Sequence, residues 1–143
     1  MASIDGLQEE YKKLDQRFDA IPTGRIDPGC LLAFTYEYPT QKSKITVDTH
    51  EFTALCPWTG LPDHGLLEIS YVPQNNCIEL KSLKYYLLSF RETGIVQEHA
   101  ANRILHDLIT VCQPTSMTVT LNYNTRGGIH CSVTVSYENS KRT

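Results

Sequence analysis

"LKSLKYYLLSFRETGIVQEHAANRILHDLITVC", residues 80–112, is the stretch that decides the fold. Leu80, Leu83, Leu87 and Phe90 recur every three or four residues and predict an apolar helix stripe over 80–92, closed by Gly94. Ala101, Ile104, Leu105, Leu108 and Cys112 predict a second helix over 97–112, stopped by Pro114. The two helices are consecutive, and what flanks them is strand.

Upstream, "LLAFTYEY" (31–38), "KITVDTHEFTAL" (44–55) and "LLEISYVP" (66–73) are rich in β-branched and aromatic residues and read as strands, the last ended by Pro73. Downstream, Met117, Val119, Leu121 and Tyr123 alternate with Thr118, Thr120 and Asn122. After "NTRGG" (124–128), Ile129, Cys131, Val133, Val135 and Tyr137 alternate in the same way, which predicts a hairpin. Strands around a helix pair predict an α+β domain, an antiparallel sheet with both helices on one face. The other face is left uncovered or used for assembly. Residues 1–29 read as an N-terminal arm, with Leu7, Tyr11, Leu14 and Phe18 on one helical face and Asp5 as its cap. "IPTGRIDPGC" (21–30) breaks the chain, and residues 30–143 read as a single domain.

At 143 residues and 41% hydrophobic content, the chain can bury an ordinary core. A net charge of −3, with no basic run beyond the final "KRT", argues against a broad nucleic-acid surface. Five widely spaced cysteines, a polar N-terminus unlike a secretory leader and no long apolar run predict free thiols in the cytoplasm, away from the membrane.

The segment "TALCPWTGLPDHG" (53–65) places Cys56 beside a proline and a tryptophan, with Asp63 seven residues on, in a stretch read as a stiff loop. A buried cysteine and ordinary turn chemistry explain it plainly. A nucleophile and its proton donor explain it more sharply, because a reactive thiol must be partly exposed and held still. The sharper reading needs an apolar setting for Asp63, which Trp58 and Leu61 are placed to supply. Cys112 and Cys131 lie on apolar stripes and read as core, while Cys30 and Cys77 carry no helpful context. His50, Cys56 and His64 form a poor zinc signature, without CxxC or HxxxH spacing, and no metal is expected.

No G-x-G-x-x-G follows a strand, so a bound nucleotide would rely on side-chain cations. Lys81 and Lys84 project to one helix face, and Arg126 precedes two glycines. A solvated helix face and a hairpin turn account for them equally well. Glu98 suits a helix N-terminus, and a carboxylate there can also accept two hydrogen bonds from a purine-like edge.

Three segments, in order, resemble the QueF nitrile oxidoreductases: "FTALCPWTGLPD" (52–63), "ELKSLKYY" (79–86) and "RGGI" (126–129). The likeness runs from about residue 45 to 137. It implies the tunnelling fold, in which subunits join their sheets into a barrel and build active sites between neighbours, as in a ring-based homo-oligomer of two stacked pentamers. It implies reduction of 7-cyano-7-deazaguanine by two NADPH to 7-aminomethyl-7-deazaguanine, on the way to the queuosine base of transfer RNA, with no direct nucleic-acid partner. Cys56 would form a covalent thioimide and Asp63 would donate the proton. Ile78, Glu79 and Leu80, with Gln97 and Glu98, match the substrate-binding stretches; many relatives carry His where Gln97 stands. Lys81, Lys84 and Arg126 would take the NADPH phosphates. Three rivals share parts of this pattern: an amidinotransferase acting on the nitrile in transfer RNA, a zinc-dependent cyclohydrolase-type enzyme using His50, Cys56 and His64, and a purine-binding domain without catalysis.

Overall fold

The computed structural model describes Glu9, Lys12 and residues 25–140. The apolar face and cap expected at Asp5, Leu7, Tyr11, Leu14 and Phe18 lie outside the described residues. The elements run β1 (Ala33–Thr35), β2 (Ile45–Leu55), β3 (Pro62–Val72), β4 (Asn76–Ile78), α1 (Leu80–Leu88), α2 (Gln97–Cys112), β5 (Ser116–Tyr123) and β6 (Ser132–Glu138). The main sheet is antiparallel in the order β2-β3-β5-β6, and β1 pairs separately with β4. The α+β order read from the sequence is the order found.

Alternation sets the faces. Leu67, Ile69 and Tyr71 on β3 and Met117, Val119, Leu121 and Tyr123 on β5 point inward and are almost fully buried. They meet Ala100, Ala101, Ile104, Leu108 and Cys112 of α2, all fully buried, and Ile26 and Leu31 close the core from the N-terminal side. In β2 the inward set changes phase. Val47 and Thr49 pair with Ile69 and Leu67, then the register shifts and Phe52 and Ala54 pair with Gly65 and Asp63. This bulge keeps Phe52 inside while Glu51 stays exposed. The outer face of the sheet is polar, with Thr118 bonded to Ser136 and Thr120 to Thr134 across β5 and β6.

Four details differ from the periodicity. The strand expected over 31–38 is reduced to Ala33–Thr35, and β4 is an added short partner for it. β3 begins at Pro62, so Asp63 and His64 belong to a strand, and the loop shrinks to residues 56–61. α1 ends at Leu88 with Ser89 as its C-cap. Gly94, expected to close it, instead runs parallel to Leu55, with Leu55 N–H donating to Thr93 O (2.9 Å) and Ile95 N–H to Leu55 O (3.0 Å). Finally, Leu80 and Ile129, both assigned to apolar stripes, are 59% and 76% exposed. Leu80 is the first residue of α1, and Ile129 lies in the turn before β6, bridged to Arg126.

Candidate active site

β2 and β3 form a hairpin whose last paired residues are Leu55 and Pro62. The six residues between them close on themselves: Cys56 N–H donates to Leu61 O (2.9 Å) and Gly60 N–H to Cys56 O (2.8 Å). Gly60 takes φ 70°, a left-handed conformation that a side chain would strain. Cys56 is thereby held half-buried at the head of a tight loop, and it is a free thiol.

Burial pushes the Cys56 thiol up, but hydrogen bonds from the Thr59 side chain and from the Thr59 and Trp58 backbones outweigh it. The net effect is a pKa below 9.0, and the nearby Asp63 carboxylate works in the opposite direction. Thr59 Oγ1 also accepts from Leu61 N–H (3.2 Å), so the same hydroxyl braces the loop and the sulfur.

Asp63 lies opposite Ala54 on the inner face and is only 4% exposed. Its partner is Arg126, whose Nη1 donates to Asp63 Oδ1 from the tip of the β5–β6 hairpin. Trp58 and Leu61, expected to shelter this carboxylate, are exposed in the single chain. The covering is done by strand burial and by the hairpin tip instead, because Asp63 belongs to β3 and not to the loop. Tyr123 completes the group. Its phenol donates to Gln97 O (3.1 Å), and burial, reinforced by the charges of Asp63, Cys131 and Glu98, pushes its ionisation far up.

α2 delivers Gln97 and Glu98 to the same end of the sheet. The bridge between Leu55 and Gly94 ties the Cys56 loop to the segment that starts the helix. Glu98 is exposed in the first turn, and among the described residues its carboxylate has no hydrogen-bonded partner. One end of the molecule thus gathers Cys56, Asp63, Gln97, Glu98 and Arg126. Thr59 and Tyr123 were not anticipated. A threonine three residues after the cysteine in a turn is a usable signal for the first; nothing local marks the second.

Ile78, Glu79, Leu80, Lys81 and Lys84 lie elsewhere. Ile78 is buried, and its N–H accepts no role beyond donating to Tyr71 Oη (3.1 Å). Tyr71 and Asp63 are eight steps apart on β3, about 26 Å at an ordinary strand rise. Glu79 caps α1, its two carboxylate oxygens accepting from Lys81 N–H (2.8 Å) and Ser82 N–H (2.7 Å). Those two backbone bonds hold its carboxyl below the usual range. Among the described residues neither lysine ammonium is ion-paired. Lys84 and Arg91 edge a cleft of about 600 Å³ between α1 and β2, floored by Phe52, Leu67, Ile69 and Leu83. That cleft includes none of Cys56, Asp63 and Glu98.

His64 points away from Asp63 on β3, with Nδ1 3.0 Å from Thr53 Oγ1. Among the described residues, no cluster of three His, Cys, Asp or Glu side chains is placed to hold a metal ion. No helix there is long and apolar enough to cross a membrane.

Comparison with known proteins identifies the family. The family model described as QueF-like protein matches residues 62–142. The NADPH-dependent 7-cyano-7-deazaguanine reductase of Thermoanaerobacter pseudethanolicus is 44% identical over 135 residues, 94% of this chain and 100% of that one. The protein of the same name from Caldicellulosiruptor bescii is 46% identical over 92% of this chain and 99% of its own. That from Chlorobaculum tepidum is 54% identical over 76% of this chain and 92% of its own. The crystal structure of an apo archaeosine synthase, QueF-Like, superposes with a TM-score of 0.64 at 19% identity, covering 69% of this chain and 97% of that one. This last likeness speaks for the fold alone, the tunnelling fold. The chain belongs to the QueF family.

Proposed function

We propose that this chain reduces 7-cyano-7-deazaguanine to 7-aminomethyl-7-deazaguanine with NADPH, a step toward the queuosine base of transfer RNA. The observation that carries the reading is a free thiol of lowered pKa in a rigid loop beside a buried carboxylate, in a family whose named members catalyse this reduction. A nitrile carbon is a soft electrophile suited to a thiolate. Cys56 Sγ adds to it and a C–S bond forms, while the proton released by the thiol passes through the Asp63 carboxylate to the nitrile nitrogen, giving a thioimide. Bound NADPH supplies a hydride, once to the thioimide and once to the imine that follows. Between the two, the C–S bond breaks and Cys56 leaves as thiolate. Each hydride is matched by one proton, so the nitrile consumes two NADPH and two protons. Glu98 accepts from the ring N–H and exocyclic amine of the guanine-like edge, with Gln97 beside it. Lys81 and Lys84, neither of them ion-paired among the described residues, suit the dinucleotide phosphates. Arg126 is already engaged by Asp63.

The separation along β3 supports a site completed by a second copy. Ile78, Glu79, Leu80 and Lys81 of one chain would meet Cys56 of its neighbour. Exposed apolar side chains stand at both ends: Leu32, Phe34 and Leu80 near the start of α1, and Trp58 and Ile129 near Cys56. Sheets joined edge to edge in a ring, as in two stacked pentamers, would bring such ends together. The arm (1–29) and catalytic domain (30–143) division belongs to the same proposal, with the cytoplasm as its place.

The test is an intact mass of the protein mixed with 7-cyano-7-deazaguanine and no NADPH. A gain equal to the nitrile's mass, absent in Cys56→Ala, is the expected result. Oxidation of added NADPH, followed by its nicotinamide absorbance, separates reduction from amino transfer. No adduct and no oxidation overturn the reading.

A further inference from the structure

Arg126 is presented to Asp63 by a piece of backbone built for the purpose. Arg126 and Ile129 exchange both backbone hydrogen bonds, N–H to O at 2.9 Å each way. The two residues between them, Gly127 and Gly128, have φ 55° and 75°, so the chain reverses in a tight turn with both central residues left-handed. A Cβ on either glycine would meet no atom within 4 Å. Their requirement is conformational, and its product is a fixed Arg126. The guanidinium reaches a carboxylate that β3 has buried to 4% exposure, while remaining 43% exposed itself.

We propose that Arg126 is a positioning residue of the thiol–carboxylate pair: it pins Asp63 from the hairpin tip and cancels charge that Asp63 would otherwise turn on Cys56. This rests on the reading of Cys56 as the nucleophile. It assigns Arg126 a task in the first covalent step, separate from any contact with a dinucleotide. The geometry has three parts: a carboxylate only 4% exposed, one cation hydrogen-bonded to it, and a thiol at the head of the same β2–β3 hairpin. A buried carboxylate without its partner loses the interaction that makes its charge tolerable. It also presents an uncompensated negative charge to the loop, where a thiolate must form. The other titratable groups of this corner are Tyr123 from β5, Cys131 from the hairpin and Glu98 from α2, the last two acting with Asp63 on the Tyr123 phenol. None of them is a cation. Arg126 is therefore the positive charge that balances this corner among the described residues.

The experiment needs neither nitrile nor NADPH. The rate of Cys56 alkylation by iodoacetamide is followed against pH, read at the Cys56 peptide by mass spectrometry to set it apart from the other four thiols. In Arg126→Ala the alkylation midpoint should move to higher pH by on the order of one unit, the usual effect of an unscreened neighbouring charge. Arg126→Lys should stay near the parent. Asp63→Asn should move the midpoint down, because the Arg126 charge is then unopposed, and adding Arg126→Ala to Asp63→Asn should return it to near the parent's. That double variant also leaves no unpaired buried charge, so it reports even if Arg126→Ala folds poorly. An Arg126→Ala midpoint equal to the parent's, or a double variant that stays at the lowered Asp63→Asn midpoint, overturns the proposal. Absence of a nitrile adduct in the unaltered protein would overturn the reductase reading instead, and leaves the alkylation result to be judged separately.

Discussion

The thiol, the acid and the hydroxyl beside them are each one atom deep in their effect. Cys56→Ala should abolish the mass adduct while nitrile binding stays measurable by calorimetry, because the loop is held by backbone bonds that alanine keeps. Asp63→Asn should slow adduct formation about 10²-fold or more in a single-turnover measurement, the scale of a lost general acid. The pH profile follows from the lowered thiol. The rate of adduct formation should rise with pH to a plateau as the thiolate forms, with a midpoint below the 9.0 of an ordinary thiol. Thr59→Val, which removes the hydroxyl from the sulfur, should move that plateau to higher pH. At this scale the sequence was informative about residue type and position: a cysteine in a Pro- and Gly-rich turn and an aspartate nearby were visible. It was silent on Arg126 as the carboxylate's partner, because sixty-three positions and two strands separate them.

Elements hold these groups in place through two contacts. Tyr86 Oη of α1 donates to Asp107 Oδ2 of α2 (2.6 Å), and Arg103 Nε donates to the same oxygen (2.8 Å). Tyr86 is fully buried and Asp107 is 6% exposed. Asp107→Ala should therefore cost about 3 kcal/mol in urea unfolding, since it strands a buried hydroxyl and removes a charged acceptor. Tyr86→Phe should cost about 1 kcal/mol. The second contact is backbone to backbone. A Cβ on Gly65 would stand 2.9 Å from Asn122 O and 3.1 Å from the Tyr123 Cα. Gly65→Ala should push β5 away, loosen Tyr123 and slow adduct formation along with lowering the melting temperature. Periodicity read the second helix to the residue, since its stripe and Pro114 mark both faces and end. It overran β1, reading 31–38 where only Ala33–Thr35 is strand, and missed its partner β4, whose three residues carry no period. It also took the start of β3 for loop, because Pro62 is tolerated as the first residue of a strand.

In the whole molecule, Ile78 and the start of α1 stand by Tyr71, at the end of β3 away from Asp63. If neighbouring copies complete each site, a Cys56→Ala chain and a Lys81→Glu/Lys84→Glu chain, each inactive alone, should recover activity when unfolded together and refolded as a mixture. Random mixing of copies leaves up to about a quarter of the sites intact. No recovery would mean that each chain works with its own residues. The sequence by itself determined the α+β order, the apolar faces, the thiol and its neighbouring acid, and the family, because these depend on local spacing and on side-chain type. Even the phase change in β2 is written there, with Val47 and Phe52 on opposite parities. Only the tertiary structure decided that Asp63 is buried in a strand, that Arg126 balances it and that Glu79 spends its carboxylate on a helix cap. Those are pairings across the sheet or between a side chain and a free helix end. Their energies depend on distance in space, which spacing along the chain does not encode.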